Sequence, residues 1–166
     1  MAAYEARSDV QVGEKDFVME RIFQAPRELV FQAFTRPEHL ARWWAPAGYT
    51  IPVCRVDLRP GGVWHYCMRS TAGDEHWCRS VYREIESPER LVYTSLFADE
   101  HGNPTDDIPE QTCTATFTET DGVTRLVLRV ELPTAETLKW TMDVGMVEGL
   151  TITFAQLDAL LPQLTA

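Results

Sequence analysis

The last third of the chain is what most constrains the fold. After a run of segments that alternate apolar and polar residues, Leu138, Met142, Met146, Leu150, Phe154, Leu157 and Leu161 recur three or four positions apart. That spacing predicts one helix over Thr134–Leu161 with a single buried stripe. Helices average about 11–12 residues, so one this long, placed last, can lie across a whole sheet rather than inside a bundle. A curved antiparallel sheet that grips such a helix leaves a gap between the two layers, and the gap is the natural place for a site.

The preceding segments supply the sheet. Phe17–Gln24 alternates apolar and polar residues as a first strand does, and two short helices follow it, one around Leu29, Val30, Ala33 and Phe34 and one opened by Pro37. From Tyr49 the period becomes two. Strands are expected over Tyr49–Leu58, with Pro52 marking an edge or a bulge, then Val63–Ser70, Glu75–Ser87, Arg90–Phe97, Gln111–Glu119 and Val123–Leu132. The fold class is therefore α+β: a six- to seven-stranded curved antiparallel sheet around a long C-terminal helix, with two short helices after the first strand. Residues 1–16 read as a flexible leader and residues 17–166 as one domain.

Charge excludes some partners. With 15 basic and 25 acidic residues the formal charge is −10, which repels phosphate backbones and anionic membranes, so nucleic acid is not an expected partner. No apolar run reaches the roughly 18 residues of a membrane span. Cys54, Cys67, Cys78 and Cys113 form no close CxxC pair, and no secretory pattern opens the chain, so reduced thiols and a cytoplasmic location are the default expectation.

Turn chemistry assigns faces. If Asp121-Gly122 is a two-residue turn, Phe117 faces Leu126, Ala115 faces Leu128 and Cys113 faces Val130 on the helix side, while Thr112, Thr114, Thr116, Thr118, Arg125 and Arg129 are wet. If Ala72-Gly73 is likewise a two-residue turn, Met68 faces Trp77, Tyr66 faces Arg79 and Trp64 faces Val81. The inward set then includes Trp64, Tyr66, Met68, Trp77, Arg79, Tyr93 and Phe117, joined from the helix by Met142 and Met146. These nine residues are the candidate cavity lining, because polar-tipped aromatics combine apolar area with an orienting hydrogen bond. Plain core packing, with Arg79 salt-bridged, is the alternative reading of the same residues. The acidic loop Ala98–Glu110 is read as a gate or as a solvated surface loop.

Other chemistry is thin. The same register sets Cys67 opposite Cys78 with His65 and His76 on one outer face, which allows a zinc site, a cross-strand disulfide or reduced thiols. Ligands in flat strands converge poorly, so no metal is expected. There is no GxSxG elbow, GxGxxG or P-loop, so no cofactor and no catalytic residue is assigned. Gly145 and Gly149 lie on one side of the predicted helix and allow close approach to the sheet or leave room for a ligand.

Several stretches, in order, are familiar: Arg21-Ile22-Phe23-Gln24-Ala25-Pro26, Pro37-Glu38-His39-Leu40-Ala41-Arg42-Trp43-Trp44, Leu58-Arg59-Pro60-Gly61-Gly62-Val63-Trp64, Tyr82-Arg83-Glu84-Ile85 with Ser87-Pro88-Glu89-Arg90-Leu91-Val92-Tyr93, and Met146-Val147-Glu148-Gly149. From Phe17 to Leu161 the chain resembles the bacterial family named for the C-terminal domain of the activator of heat-shock-protein-90 ATPase, within the START-related, polyketide-cyclase-like SRPBCC superfamily. The resemblance implies a helix-grip fold. The first functional expectation is binding or carriage of a small hydrophobic or amphipathic molecule between sheet and helix, with Arg79 pairing an anionic or carbonyl group. The alternatives are a cyclase- or hydrolase-like enzyme, with Arg79 or Tyr66 polarising a carbonyl, and a chaperone-activating interaction module. Trp43-Trp44 packs the helical corner in one reading and touches ligand in the other. Unpaired sheet edges make a homodimer an expectation.

Overall fold

The structure is a computed structural model that describes residues 9–105 and 110–164. Eight strands form one antiparallel sheet: β1 (Asp9–Val12), β2 (Asp16–Phe23), β3 (Tyr49–Val56), β4 (Val63–Ser70), β5 (Glu75–Glu86), β6 (Arg90–Ala98), β7 (Gln111–Thr120) and β8 (Val123–Glu131), in the order β1-β2-β8-β7-β6-β5-β4-β3. Two short helices, α1 (Arg27–Thr35) and α2 (Pro37–Trp43), follow β2, and α3 (Ala135–Asp143) and α4 (Met146–Leu160) follow β8. This is the helix-grip layout, with one strand more than expected. The extra strand, β1, lies in the segment read as a leader: Asp9–Val12 pairs with Phe17–Glu20, while residues 1–8 lie outside the described ones.

The C-terminal helix is not continuous. Val144 and Gly145 separate α3 from α4, and the two axes differ by 57°. Gly145 has φ 89°, a left-handed conformation that a side chain resists, so the helical ladder stops there and restarts at Met146. The apolar repeat carries on through the break because both segments face the same sheet. Among the described residues no single helix is long and apolar enough to cross a membrane.

Register explains the rest of the geometry. At the last hairpin, Asp121 and Gly122 both have positive φ, 52° and 77°, and Phe117 pairs with Leu126, Ala115 with Leu128 and Cys113 with Val130, as expected from a type I′ turn. At the β4–β5 hairpin the register differs by one residue. The loop holds three residues, Thr71–Gly73, with Gly73 at φ 92° and Ser70 N–H donating to the Asp74 carbonyl at 2.8 Å. Tyr66 therefore pairs with Cys78, Cys67 with Trp77 and His65 with Arg79. A one-residue slip sends each side chain to the other face. Trp77 and Arg79 thus face outward, and Cys78, Ser80 and Tyr82 face the helices.

The core sits where β2, β7 and β8 meet α1, α2 and α4. Phe17, Phe23, Ala115, Leu126, Val130, Phe154 and Leu157 have no measurable exposure or nearly none. Phe154 meets Phe23 edge-on at 6.0 Å. Trp43 donates from Nε1 to the Ala33 carbonyl at 2.9 Å, and the Gln156 amide donates to the carbonyls of Trp43 and Ala45 at 2.8 and 2.7 Å. These bonds tie the helical corner to α4 and fill one end of the molecule. The other end stays open, where α3 and α4 diverge by 57°.

Candidate functional site: an apolar cavity under the bent helix

A cavity of about 520 Å³ lies between the inner face of β4–β8 and the α3–α4 bend. That volume falls within the usual range for small-molecule sites. Its sheet wall includes Tyr66 and Met68 from β4, Tyr93 from β6, and Leu128 and Val130 from β8; Met146, Leu150 and Thr153 close it from α4. Trp140 and Val144 also line it and are 43% and 59% exposed, and His76 opposite them is exposed, so these residues mark the mouth. Gly149 faces the space as well: a Cβ built there meets no atom within 4 Å.

Of the nine candidate lining residues, Tyr66, Met68, Tyr93 and Met146 are on the wall. Trp64 lies just behind it, buried, its ring stacked on Tyr66 at 4.9 Å. Phe117 belongs to the filled end, edge-on to Phe31 at 5.5 Å and to Phe34 at 5.2 Å. Met142 packs half-buried against the core from α3. Trp77 and Arg79 are corrections: on the outer face Trp77 lies against the His65 ring at 5.0 Å, and Arg79 pairs across the strands with His65 and Leu96. The guanidinium expected to pair an anionic or carbonyl group of a ligand is therefore outside the cavity.

The same slip separates the thiols and imidazoles. Cys67 and His65 are on one face and Cys78 and His76 on the other, so neither the cross-strand disulfide nor the two-histidine, two-cysteine cluster can form. The four cysteines are free, and among the described residues no group of three His, Cys, Asp or Glu side chains converges on a common point. The loop after β6 does not cover the cavity in its described part. Asp99 accepts from the His101 and Asn103 amides, which holds its carboxyl below its ordinary pKa, and its carbonyl lies 3.0 Å from His65 Nε2 on the outer face. Residues 106–109 of that loop lie outside the described ones.

Sequence reasoning passed over Ser95, Thr141 and Thr153, all on the wall, set Cys78 on the outer face, turned Cys113 inward without naming it as lining, and left Trp44 between packing and ligand contact. Trp44 stands beside the core Trp43 yet points the other way, edge-on to Trp64 at 4.8 Å, and donates from Nε1 to the Tyr66 hydroxyl at 2.9 Å. The signal was the tryptophan pair itself, since two neighbours at a helix end cannot both face the core. Cys78 follows from the correct turn length as the cross-strand partner of Tyr66, and Cys113, inward as expected, is the cross-strand partner of Tyr93.

The electrostatic character of the wall is simple. Among the described residues that line the cavity there is no Asp, Glu, Lys or Arg, although the chain carries 40 such side chains in all, 15 basic and 25 acidic. Burial pushes the phenols of Tyr66 and Tyr93 well above their usual pKa. It also pushes the Cys78 thiol to about 11 and the Cys113 thiol to about 12, against the opposing pull of the tyrosine hydroxyls beside them. At neutral pH all four groups are protonated, so the thiols are poor nucleophiles and none of the four brings a charge to the wall.

The family described as Activator of Hsp90 ATPase homolog 1-like protein matches residues 24–162. A Mycobacterium smegmatis protein of known crystal structure is 32% identical, with a TM-score of 0.84 over 96% of this chain and 98% of its own. A Nitrosomonas europaea protein is 30% identical, with a TM-score of 0.81 over 92% and 97% of the two chains. A Rhodobacter sphaeroides protein shares the fold at 21% identity and a TM-score of 0.86, covering 95% of this chain and 100% of its own. No curated protein matches the chain.

Proposed function

The chain belongs to the activator of Hsp90 ATPase homolog 1-like family, and from the form of its cavity we propose that it binds one small, uncharged, largely apolar molecule between sheet and helix. The observation that carries this reading is an open, tyrosine- and methionine-walled space of about 520 Å³ with no Asp, Glu, Lys or Arg among its described lining. Proteins of this fold commonly hold hydrophobic ligands. A buried charge without a counter-charge or full hydrogen bonding costs several kcal/mol, so the wall selects against carboxylates and amines. This replaces the pairing of an anionic or carbonyl group expected from an inward Arg79.

A chaperone-docking module needs an exposed contact face and has no use for a hollow; the hollow favours the carrier reading. An enzyme in the same space needs an acid or base at the wall suited to neutral pH; burial moves the tyrosines and thiols there well above it, and the one imidazole, His76, sits at the exposed mouth. The test is a thermal-shift series on one skeleton: a long-chain alcohol, the matching fatty acid as its anion, and the matching amine as its cation. The alcohol is expected to raise Tm by several degrees and the two ions by little. Equal shifts for all three, or a larger one for the anion, would contradict an uncharged ligand.

A further inference from the structure

Within the cavity two groups stand apart from the rest of the wall. Tyr66 and Tyr93 are buried, 8% and 3% exposed, and they flank Trp64, whose ring is 4.9 Å from one and 6.0 Å from the other. A phenol has one proton to give and lone pairs to receive, whereas an indole N–H can only give. Because Trp44 Nε1 already donates to the Tyr66 oxygen at 2.9 Å, the Tyr66 proton must point elsewhere. It meets the sulfur of Cys78, its cross-strand neighbour; Tyr93 stands in the same relation to Cys113. Thiol sulfur is a weak acceptor.

The Tyr49 phenol, half-buried, lies beside exposed His76 at the mouth, their rings 6.1 Å apart, and the other hydroxyls deeper in the wall are already engaged. Thr141 donates to the Thr137 carbonyl at 2.8 Å, Thr153 donates to the Leu150 carbonyl at 2.9 Å, and Ser95 pairs with Ser80 at 2.7 Å. Among the buried side chains of the lining, the two phenols therefore hold the strong donor capacity left unspent; Tyr49, His76, Gln111 and Trp140 also line the space but are half-buried or exposed. A bonded donor upstream also polarises the next one in a chain, and Trp44 does this for Tyr66.

Resting on the cavity reading above, we infer that Tyr66 and Tyr93 recognise a carbonyl oxygen, and that the ligand is a neutral ketone, quinone or ester rather than a plain hydrocarbon. On binding, the carbonyl takes the place of sulfur as acceptor for the phenolic protons, while the ring system occupies the space bounded by Met68, Leu128, Met146 and Leu150. No bond is made or broken in this recognition.

The experiment uses 2-acetonaphthone and 2-ethylnaphthalene, which share a skeleton and differ in the carbonyl, with the full chain and its Tyr66→Phe and Tyr93→Phe variants. Titration calorimetry is expected to show each variant binding the ketone about three- to tenfold more weakly, the worth of one net hydrogen bond, with the hydrocarbon changed by less than about twofold on the same argument. The hydrocarbon also reports whether each variant keeps its cavity. On the unmodified protein alone, difference infrared spectra are expected to show the bound C=O stretch at lower frequency than in an apolar solvent. An unshifted stretch, or variants that treat both probes alike, overturns the carbonyl assignment while the cavity reading stands. If neither probe binds the unmodified chain, both readings fall.

Discussion

Asp158→Ala is expected to destabilise the protein by about 3 kcal/mol, read as a fall in the urea midpoint followed by far-UV circular dichroism. Arg21 projects from the inner face of β2, opposite Leu126, and is 2% exposed. Its guanidinium forms an ion pair with Asp158 on α4 and lies 5.9 Å from the Phe23 ring centre. Breaking a buried pair by removing one partner is strongly destabilising, by about 3–5 kcal/mol. The lower end applies because the Asp158 side chain retains 33% of its exposure. The pair fastens α4 to the sheet at the filled end, so the loss is global. The double variant Arg21→Met, Asp158→Leu is expected to regain most of it, as apolar replacements of buried pairs do. A loss below about 1 kcal/mol for Asp158→Ala, the level of an exposed pair, would show that the bridge is not structural.

The second large effect is with pH. Cys78 titrates at about 11 in the fold and Cys113 at about 12, against an ordinary 9.0, in each case because burial penalises the thiolate. Below pH 9 folded and unfolded chains both keep these protons and stability is level. Above it the unfolded chain gives them up first, so stability falls until the folded thiols titrate as well. Each group contributes about 1.4 kcal/mol per pH unit over its window; Cys78 alone then removes about 3 kcal/mol by pH 11, and Cys113 a comparable amount. Tyr66 and Tyr93, raised by the same burial, add to the slope from about pH 10. Against a typical total of 5–15 kcal/mol, an alkaline unfolding transition is expected near pH 10–11, and Cys78→Ala with Cys113→Ala should move it upward. Stability that stays flat to pH 11 would mean that these thiols are hydrated rather than buried.

How much of this could be read from the sequence depended on local turn chemistry. Asp121-Gly122 leaves one turn geometry open, and the β7–β8 pairs followed correctly from it. Ala72-Gly73 contains a glycine that is equally at home in a two- or a three-residue loop; the longer loop won, and the whole of β5 turned over. Trp77 and Arg79 left the site for that reason alone, and Cys78 entered it. The apolar repeat through α3 and α4 was read correctly as one buried stripe, but such a stripe does not record a bend. Only the positive φ of Gly145 does, and glycine inside a helical pattern is compatible with both outcomes. Arg21 was visible as a motif residue yet gave no sign of being in the core, because its partner is 137 positions away. Phe117, Met142 and Trp64 are inward as read. What the pattern could not distinguish was the filled end from the hollow end, which depends on how α3 and α4 diverge.

The central claim is that a hollow under the bent helix takes an uncharged apolar molecule, and position 149 tests it most directly. A side chain there projects into empty space, and replacing glycine within a helix favours folding by up to about 1 kcal/mol. Gly149→Phe should therefore fold as well as the parent while occupying the site. The measurement is fluorescence titration with N-phenyl-1-naphthylamine, neutral at pH 7. The unmodified chain is expected to show a saturable rise at one probe per chain, and Gly149→Phe almost none. Equal titration curves for the two proteins, or no rise in the unmodified chain, would contradict the account.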